Sequence, residues 1–132
     1  MKYMLDTNIC IYIIKKRPIS VIEKLKKMKI DDIAISITTL SELAYGVEKS
    51  SAPAKNRIAL TEFLSPINIM EYNDNAALFY GRIRADLERK GSIIGPMDLL
   101  IASHALALDL TLVTNNEKEF KRVNGLRVKN WV

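Results

Sequence analysis

One cysteine, Cys10, and one histidine, His104, stand in a chain of 132 residues. A single cysteine forbids an intramolecular disulfide and any thiolate metal cluster. Flanked by Ile9 and Ile11, it reads as a buried, inert thiol. A single histidine is too few for a His-rich zinc site, and a serine-hydrolase relay is hard to build around it. Any metal bound by this chain is therefore held by oxygen atoms. Long apolar runs are also missing: Ile9 to Ile14 is cut off by Lys15, Lys16 and Arg17, far short of the ~20 residues that span a bilayer. Met1 to Asp6 enters a strand pattern without a leader-like apolar segment, so a soluble cytoplasmic protein is expected. Acidic residues are scarce in one stretch, where only Glu23 opposes Lys15, Lys16, Arg17, Lys24, Lys26, Lys27 and Lys29. The net charge of +5 is thus concentrated in a basic strip. Such a strip suits a polyanion such as nucleic acid, but on charge alone a solvated helix face is the preferred reading.

Hydrophobic residues make up 48% of the chain, enough for one core and one domain over residues 1–132. Lys2 to Leu5 reads as a buried strand, and Asp6-Thr7-Asn8 as a turn and cap before a helix from Ile9 to Lys16. Pro18 stops that helix, and Ser20-Val21-Ile22-Glu23 has capping-box form for a second one. Ile33 to Ile37 is a β-branched run suited to a strand, with Thr39-Leu40-Ser41-Glu42 opening the next helix. A helix over Ala54 to Phe63 and a strand over Ile67 to Met70 follow. Asp74 caps a long helix to Lys90, ended by Gly91, and Gly95-Pro96 opens another through Leu108. Thr111 to Thr114 reads as a fourth strand, followed by a short helical piece to Arg122, and Val128 to Trp131 as a possible fifth strand. Apolar strands alternating with helices predict a three-layer α/β/α domain with a central, mostly parallel sheet of four to five strands.

In such folds ligands bind beyond the carboxyl ends of the strands. Asp6 follows the first strand, Glu42 lies just after the second, Asn116 follows the fourth, and Asp98 opens the helix leading into the fourth. Singly, each has a structural explanation: Asp6 as a cap, Glu42 as partner of Thr39 in a capping box, Asp98 as an acid favoured by a helix dipole. As a set they say more. Three carboxylates at one rim repel by roughly 3 kcal/mol per ionised pair at ~5 Å and an effective dielectric of 20. A hard divalent cation such as Mg²⁺ or Mn²⁺ offsets that repulsion and leaves coordination positions for phosphate. Such a site hydrolyses phosphodiesters without a histidine. His104, at helical spacing from Leu100 and Ile101, reads as a partly buried packing residue.

Four stretches carry a family resemblance: Met4-Leu5-Asp6-Thr7-Asn8, Ser41-Glu42-Leu43, Ile94-Gly95-Pro96-Met97-Asp98-Leu99-Leu100-Ile101-Ala102, and Leu112-Val113-Thr114-Asn115-Asn116 to Phe120. In this order and over essentially the whole chain they resemble a PIN domain of the VapC toxin type. The resemblance implies an endoribonuclease in which Asp6, Glu42 and Asp98 bind Mg²⁺ or Mn²⁺ and Thr7 assists through its hydroxyl. Many PIN domains carry a fourth acid near the last motif. This chain has Asn116 there, with Glu117 and Glu119 close by, and Glu119 is preferred because it precedes Phe120. The resemblance further implies cleavage leaving a 5′-phosphate, a tRNA substrate with the initiator anticodon stem-loop as a candidate, a homodimer, and inhibition by a VapB-type antitoxin. The basic strip, with Arg82, Arg84, Arg89 and Lys90, would meet phosphates.

Two other readings compete. An aspartyl-phosphate phosphatase places an aspartate two residues after its nucleophile, where this chain has Asn8, and a receiver domain needs an acid adjacent to Asp6. A degenerate PIN domain would bind RNA or a protein partner without cutting. Three intact carboxylates weigh against it, and Asn116 in the fourth position weighs for it.

Overall fold

The computed structural model describes residues 1–132. Five strands, β1 (Tyr3–Leu5), β2 (Ile33–Ser36), β3 (Asn68–Met70), β4 (Thr111–Val113) and β5 (Val128–Lys129), form one sheet in the order β3-β2-β1-β4-β5. Every pairing is parallel, with Met4 facing Ala34 on one side and Leu112 on the other. The short strands are apolar on both faces because helices cover both. Met4, Ala34 and Leu112 point to one face, against α5 (Asp74–Arg89), α6 (Pro96–Ala107) and α7 (Glu117–Phe120), whose Ile83, Leu87, Ile101 and Phe120 fill that core. Leu5, Ile33, Ile35 and Val113 alternate to the other face. There they meet α1 (Thr7–Lys15), α2 (Ile19–Lys26), α3 (Ile37–Glu48) and α4 (Pro53–Leu64) through Ile9, Val21, Leu43 and Leu60. This is the expected three-layer domain, with the larger strand number. No helix is long and apolar enough to cross a membrane.

Several helix starts differ from the sequence reading. α2 begins at Ile19 behind Pro18 with no side-chain cap, so Ser20 lies inside the helix and makes no capping box. α3 begins at Ile37, because the Ser36 hydroxyl accepts the Thr38 N–H at 3.1 Å and ends β2. Thr39 is therefore buried inside the helix, and Glu42 is no capping partner. The side chain of Asn73, not Asp74, caps α5 by accepting the Ala76 N–H. Gly91 ends that region at φ +65°, a left-handed conformation that glycine adopts without strain. His104 is fully buried rather than partly so, with Nδ1 2.8 Å from the Ser36 hydroxyl and Tyr72 edge-on to its ring. Trp131 lies beyond β5 and packs edge-on to Tyr3.

The sheet order reverses direction between β1 and β4: β2 and β3 lie to one side of β1, β5 to the far side of β4. Loops leaving the carboxyl ends of these two central strands diverge to opposite faces and open a crevice, the usual ligand position in open α/β sheets. Asp6 and Thr114 stand at its floor.

Candidate active site

Asp6 is the first residue beyond β1, and its backbone N–H still donates to Val113 on β4 at 2.9 Å. It serves as the N-cap of α1, accepting the Thr7 N–H on Oδ1 at 2.8 Å. Its other oxygen, Oδ2, accepts the Thr114 hydroxyl at 2.7 Å. Both oxygens are thus fixed, and the side chain is 5% exposed. Burial pushes its carboxyl above the ordinary aspartate range, the Thr114 and Thr7 hydrogen bonds oppose that rise, and the charges of Glu42 and Glu119 add to it. The same environment raises the Cys10 thiol, chiefly through burial, so Cys10 is the inert thiol expected.

The start of α3 at Ile37 places Glu42 in the second turn of that helix, half-buried, facing α1. The Thr7 hydroxyl donates to Glu42 Oε1 at 2.5 Å, a short, charge-assisted bond. Thr7 thereby joins Asp6 to Glu42: its backbone holds one carboxylate and its side chain the other.

Asp98 and Glu119 approach from the opposite face. Gly95-Pro96 opens α6, with proline at a position whose N–H needs no partner, and puts Asp98 in the first turn. The buried ring of Phe120 anchors the short helix α7 in the core, turning Glu119 toward the crevice. Glu119 accepts the Gly95 N–H at 2.9 Å, and the Asn116 side-chain amide also donates to it. Those bonds, the Gly95 one foremost, hold Glu119 below the usual glutamate range. Asp98 moves the other way, up to about 7, chiefly through burial and then through the charges of Glu119 and Asp6. The two shifts run in opposite directions because a proton held on Asp98 is stabilised by the neighbouring Glu119 carboxylate, as expected of carboxylates too close to ionise independently.

Of the residues anticipated from sequence, Asp6, Thr7, Glu42, Asp98, Asn116 and Glu119 all meet in this crevice. Glu117 does not; it pairs with Lys121 at 3.4 Å along the surface of α7. Asn116 acts on Glu119 rather than on the centre of the crevice. Thr114 was missed: it is wholly buried, donates to Asp6 and accepts the Asn116 N–H at 3.0 Å. Its sequence signal is slight, a polar residue closing the apolar run Leu112-Val113.

The donor set is oxygen throughout, which matches Mg²⁺ or Mn²⁺ and not a softer metal. No three of the acidic side chains close to ligation distance around one point. The three-ligand set anticipated from Asp6, Glu42 and Asp98 is therefore not assembled here, although an ion that takes one or two carboxylates and completes its octahedron with water needs only a pair. The elevated Asp98 carboxyl is the second sign of fit, since mutual repulsion of this kind is what a divalent charge relieves.

A family model described as the PIN domain matches residues 3–126. The chain is 51% identical to Ribonuclease VapC2 of Rickettsia felis over 132 residues, covering 99% of this chain and 98% of that relative. It is 47% identical to the tRNA(fMet)-specific endonuclease VapC of Shigella flexneri over 131 residues, covering 99% and 98%. Among solved structures, the DNA-bound VapBC of Salmonella typhimurium superposes with a TM-score of 0.94 at 43% identity, covering 100% of this chain and 99% of that one. Four carboxylates at the switch point of a five-stranded parallel sheet, in a chain matched end to end by such relatives, make it a member of the PIN-domain family, of the VapC type.

Proposed function

We propose that this protein is a metal-dependent endoribonuclease toxin that hydrolyses a phosphodiester bond of tRNA, with the initiator tRNA as first candidate. The observation that carries the reading is the convergence of Asp6, Glu42, Asp98 and Glu119, which drives Asp98 up to about 7. A pure binding module gains nothing from a cluster that repels both itself and RNA. The substrate assignment leans on the tRNA(fMet)-specific relative from Shigella flexneri.

Asp6 and Asp98 are the residues that would hold Mg²⁺ or Mn²⁺, with Glu42 at one side. Such an ion, when bound, neutralises phosphate charge and lowers the pKa of its bound water. The chain's own residues set the geometry. Thr114 and the Thr7 N–H leave Asp6 one orientation, and Thr7 fixes Glu42 in register with it. Asn116 and the Gly95 N–H fix Glu119, which stays charged and accepts a hydrogen bond from the attacking water. Glu119 thereby takes the fourth acidic position, with Asn116 as its support.

A VapB-type antitoxin is the expected partner, in line with the toxin–antitoxin complexes among the structural relatives. An apolar groove between α1, α3 and α4, lined by Ile11, Ile14, Leu43, Val47 and Leu60, ends at Glu42 and fits a partner that reaches the site.

Incubation with total tRNA in Mg²⁺, in Mn²⁺ and in EDTA tests the reading. Discrete fragments are expected from the wild type with either metal, and none from Asp6→Ala or in EDTA. Cleavage by Asp6→Ala at the wild-type rate sinks the site, and the absence of any cleavage by wild type sinks the function.

A further inference from the structure

The basic strip lies at the opposite end of the sheet from the carboxylates. α1 starts at Thr7 beside Asp6 and runs back along the sheet, so its nine residues carry Lys15 about 13 Å away. Lys16 caps that far end, and α2 follows with Val21 turned into the core. The chain rejoins the sheet through Lys29 and a 3-10 turn, Ile30–Asp32, where the Asp32 carbonyl accepts the Lys2 N–H at 2.9 Å. Lys15 to Arg17 and Lys26 to Lys29 therefore border the edge where β1 and β2 begin. Lys15 alone reaches back toward the site, lining with Glu42 the groove between α1, α3 and α4; the α2 lysines and Lys29 lie at the end of the sheet where β1 and β2 begin, away from the phosphate being cut.

All seven cations are exposed, and none is in an ion pair. Elsewhere, five of the remaining thirteen lysines and arginines are paired. Lys15 and Lys16 at the end of α1, and Lys24, Lys26 and Lys27 at the end of α2, offset helix dipoles. Arg17 and Lys29 lie outside both helices and serve no such purpose. An unneutralised cluster of this density repels itself and gains when a polyanion with a condensed counterion atmosphere docks on it. Tyr12 lines a surface hollow with Lys15, Arg17 and Pro18, its hydroxyl accepting from the Asn115 amide, but no aromatic residue occurs between Ile13 and Ala44, so the lysines of α2 offer unpaired bases no stacking platform. Lysines here can act only as point charges on a phosphate backbone.

We propose that this strip is a second RNA-binding surface, remote from the catalytic crevice, that grips the phosphate backbone of a double-helical arm of the substrate. The proposal rests on the tRNA-cleaving function above. It implies that a structured RNA is held at two places, the cut bond at the strand ends and a stem along α1 and α2.

The test compares full-length initiator tRNA with its isolated anticodon stem-loop as substrates for the wild type and for K24Q/K26Q/K27Q/K29Q. The variant is expected to need about tenfold more full-length tRNA for half-maximal rate, with kcat unchanged. Its dependence on the stem-loop concentration should match wild type. The slope of log affinity against log salt should flatten by about one for each lysine that met a phosphate. Unchanged use of full-length tRNA overturns the proposal. Equal weakening on both substrates also overturns it, because the strip would then serve the crevice itself. Weakened antitoxin binding with unchanged tRNA use reassigns the strip to the protein partner and overturns it as well. If wild type cuts neither substrate, the nuclease reading fails separately, and fluorescence anisotropy of labelled tRNA in EDTA still decides: equal affinities of the two proteins overturn the strip.

Discussion

Removing a carboxylate from the crevice should make the metal-free protein more stable, and Asp98 is where the effect should be largest. Its carboxyl is raised from 3.8 to about 7. The folded state thus binds a proton that the unfolded chain has released, and stability falls as pH rises from about 4 to about 7. Above 7 the full cost of the charge is present; below about 4 it is absent. Three pKa units correspond to at most about 4 kcal/mol, and solvent screening of this half-exposed group reduces that to about 1–2 kcal/mol. For a domain of this size such a gain raises Tm by about 3–8 °C. Asp98→Asn in EDTA at pH 8 should show that rise by differential scanning calorimetry, shrinking toward zero at pH 4. Saturating Mg²⁺ should stabilise wild type more than the variant, because only wild type retains the carboxylate. A variant no more stable than wild type at pH 8, or a gain independent of pH, would refute the electrostatic reasoning.

Thr114→Val keeps the shape of a wholly buried side chain but strips Asp6 Oδ2 and the Asn116 N–H of their partner; it should cost about 1–2 kcal/mol in chemical denaturation and reduce kcat in the tRNA assay. Thr7→Ser retains the hydroxyl that donates to Glu42 and should cleave near wild-type rate, whereas Thr7→Val should lose at least about tenfold. Glu119→Gln should fold normally, since its amide oxygen still accepts the Gly95 N–H, yet cleave poorly, and a wild-type rate would remove Glu119 from the site. For His104, burial lowers the pKa below the usual 6.5. Its contribution to stability is present above pH 6.5 and lost as pH falls through that folded value, and the Tm drop between pH 7.5 and pH 5 should be smaller in His104→Leu.

The three-layer architecture was legible because each strand is a short apolar run between helical periodicities, Asp6 and Asp98 because one stands just beyond such a run and the other at the head of a helix, and Glu42 because it lies in the helix that directly follows β2. What escaped was tertiary. Thr114 ends a β-branched stretch and reads as one more strand residue until β4 is seen lying against β1, which sets its hydroxyl on Asp6. Thr39 and Ser36 are both good caps one turn apart, and local preference could not choose between them. Pairing with β3 carries β2 through Ser36, which settles the choice and aims Glu42 at Thr7. The position of Glu119 depended on Phe120 seeking the core, a packing cue that did favour it over Glu117. The separation of the basic strip from the acids follows only from the path of α1 and α2.

Because β4 is threaded beside β1 last but one among the strands, the crevice has no local precursor: Asp6 waits for Thr114, and Asp98 and Gly95 wait for Glu119. A chain short of Phe120 already holds the partners that fix Asp6 and Glu42 but leaves Asp98 and Gly95 without an anchored Glu119. Domains tend to fold as units once their sequence is available, so the four-carboxylate crevice is complete only when the segment carrying Glu119 has joined the fold.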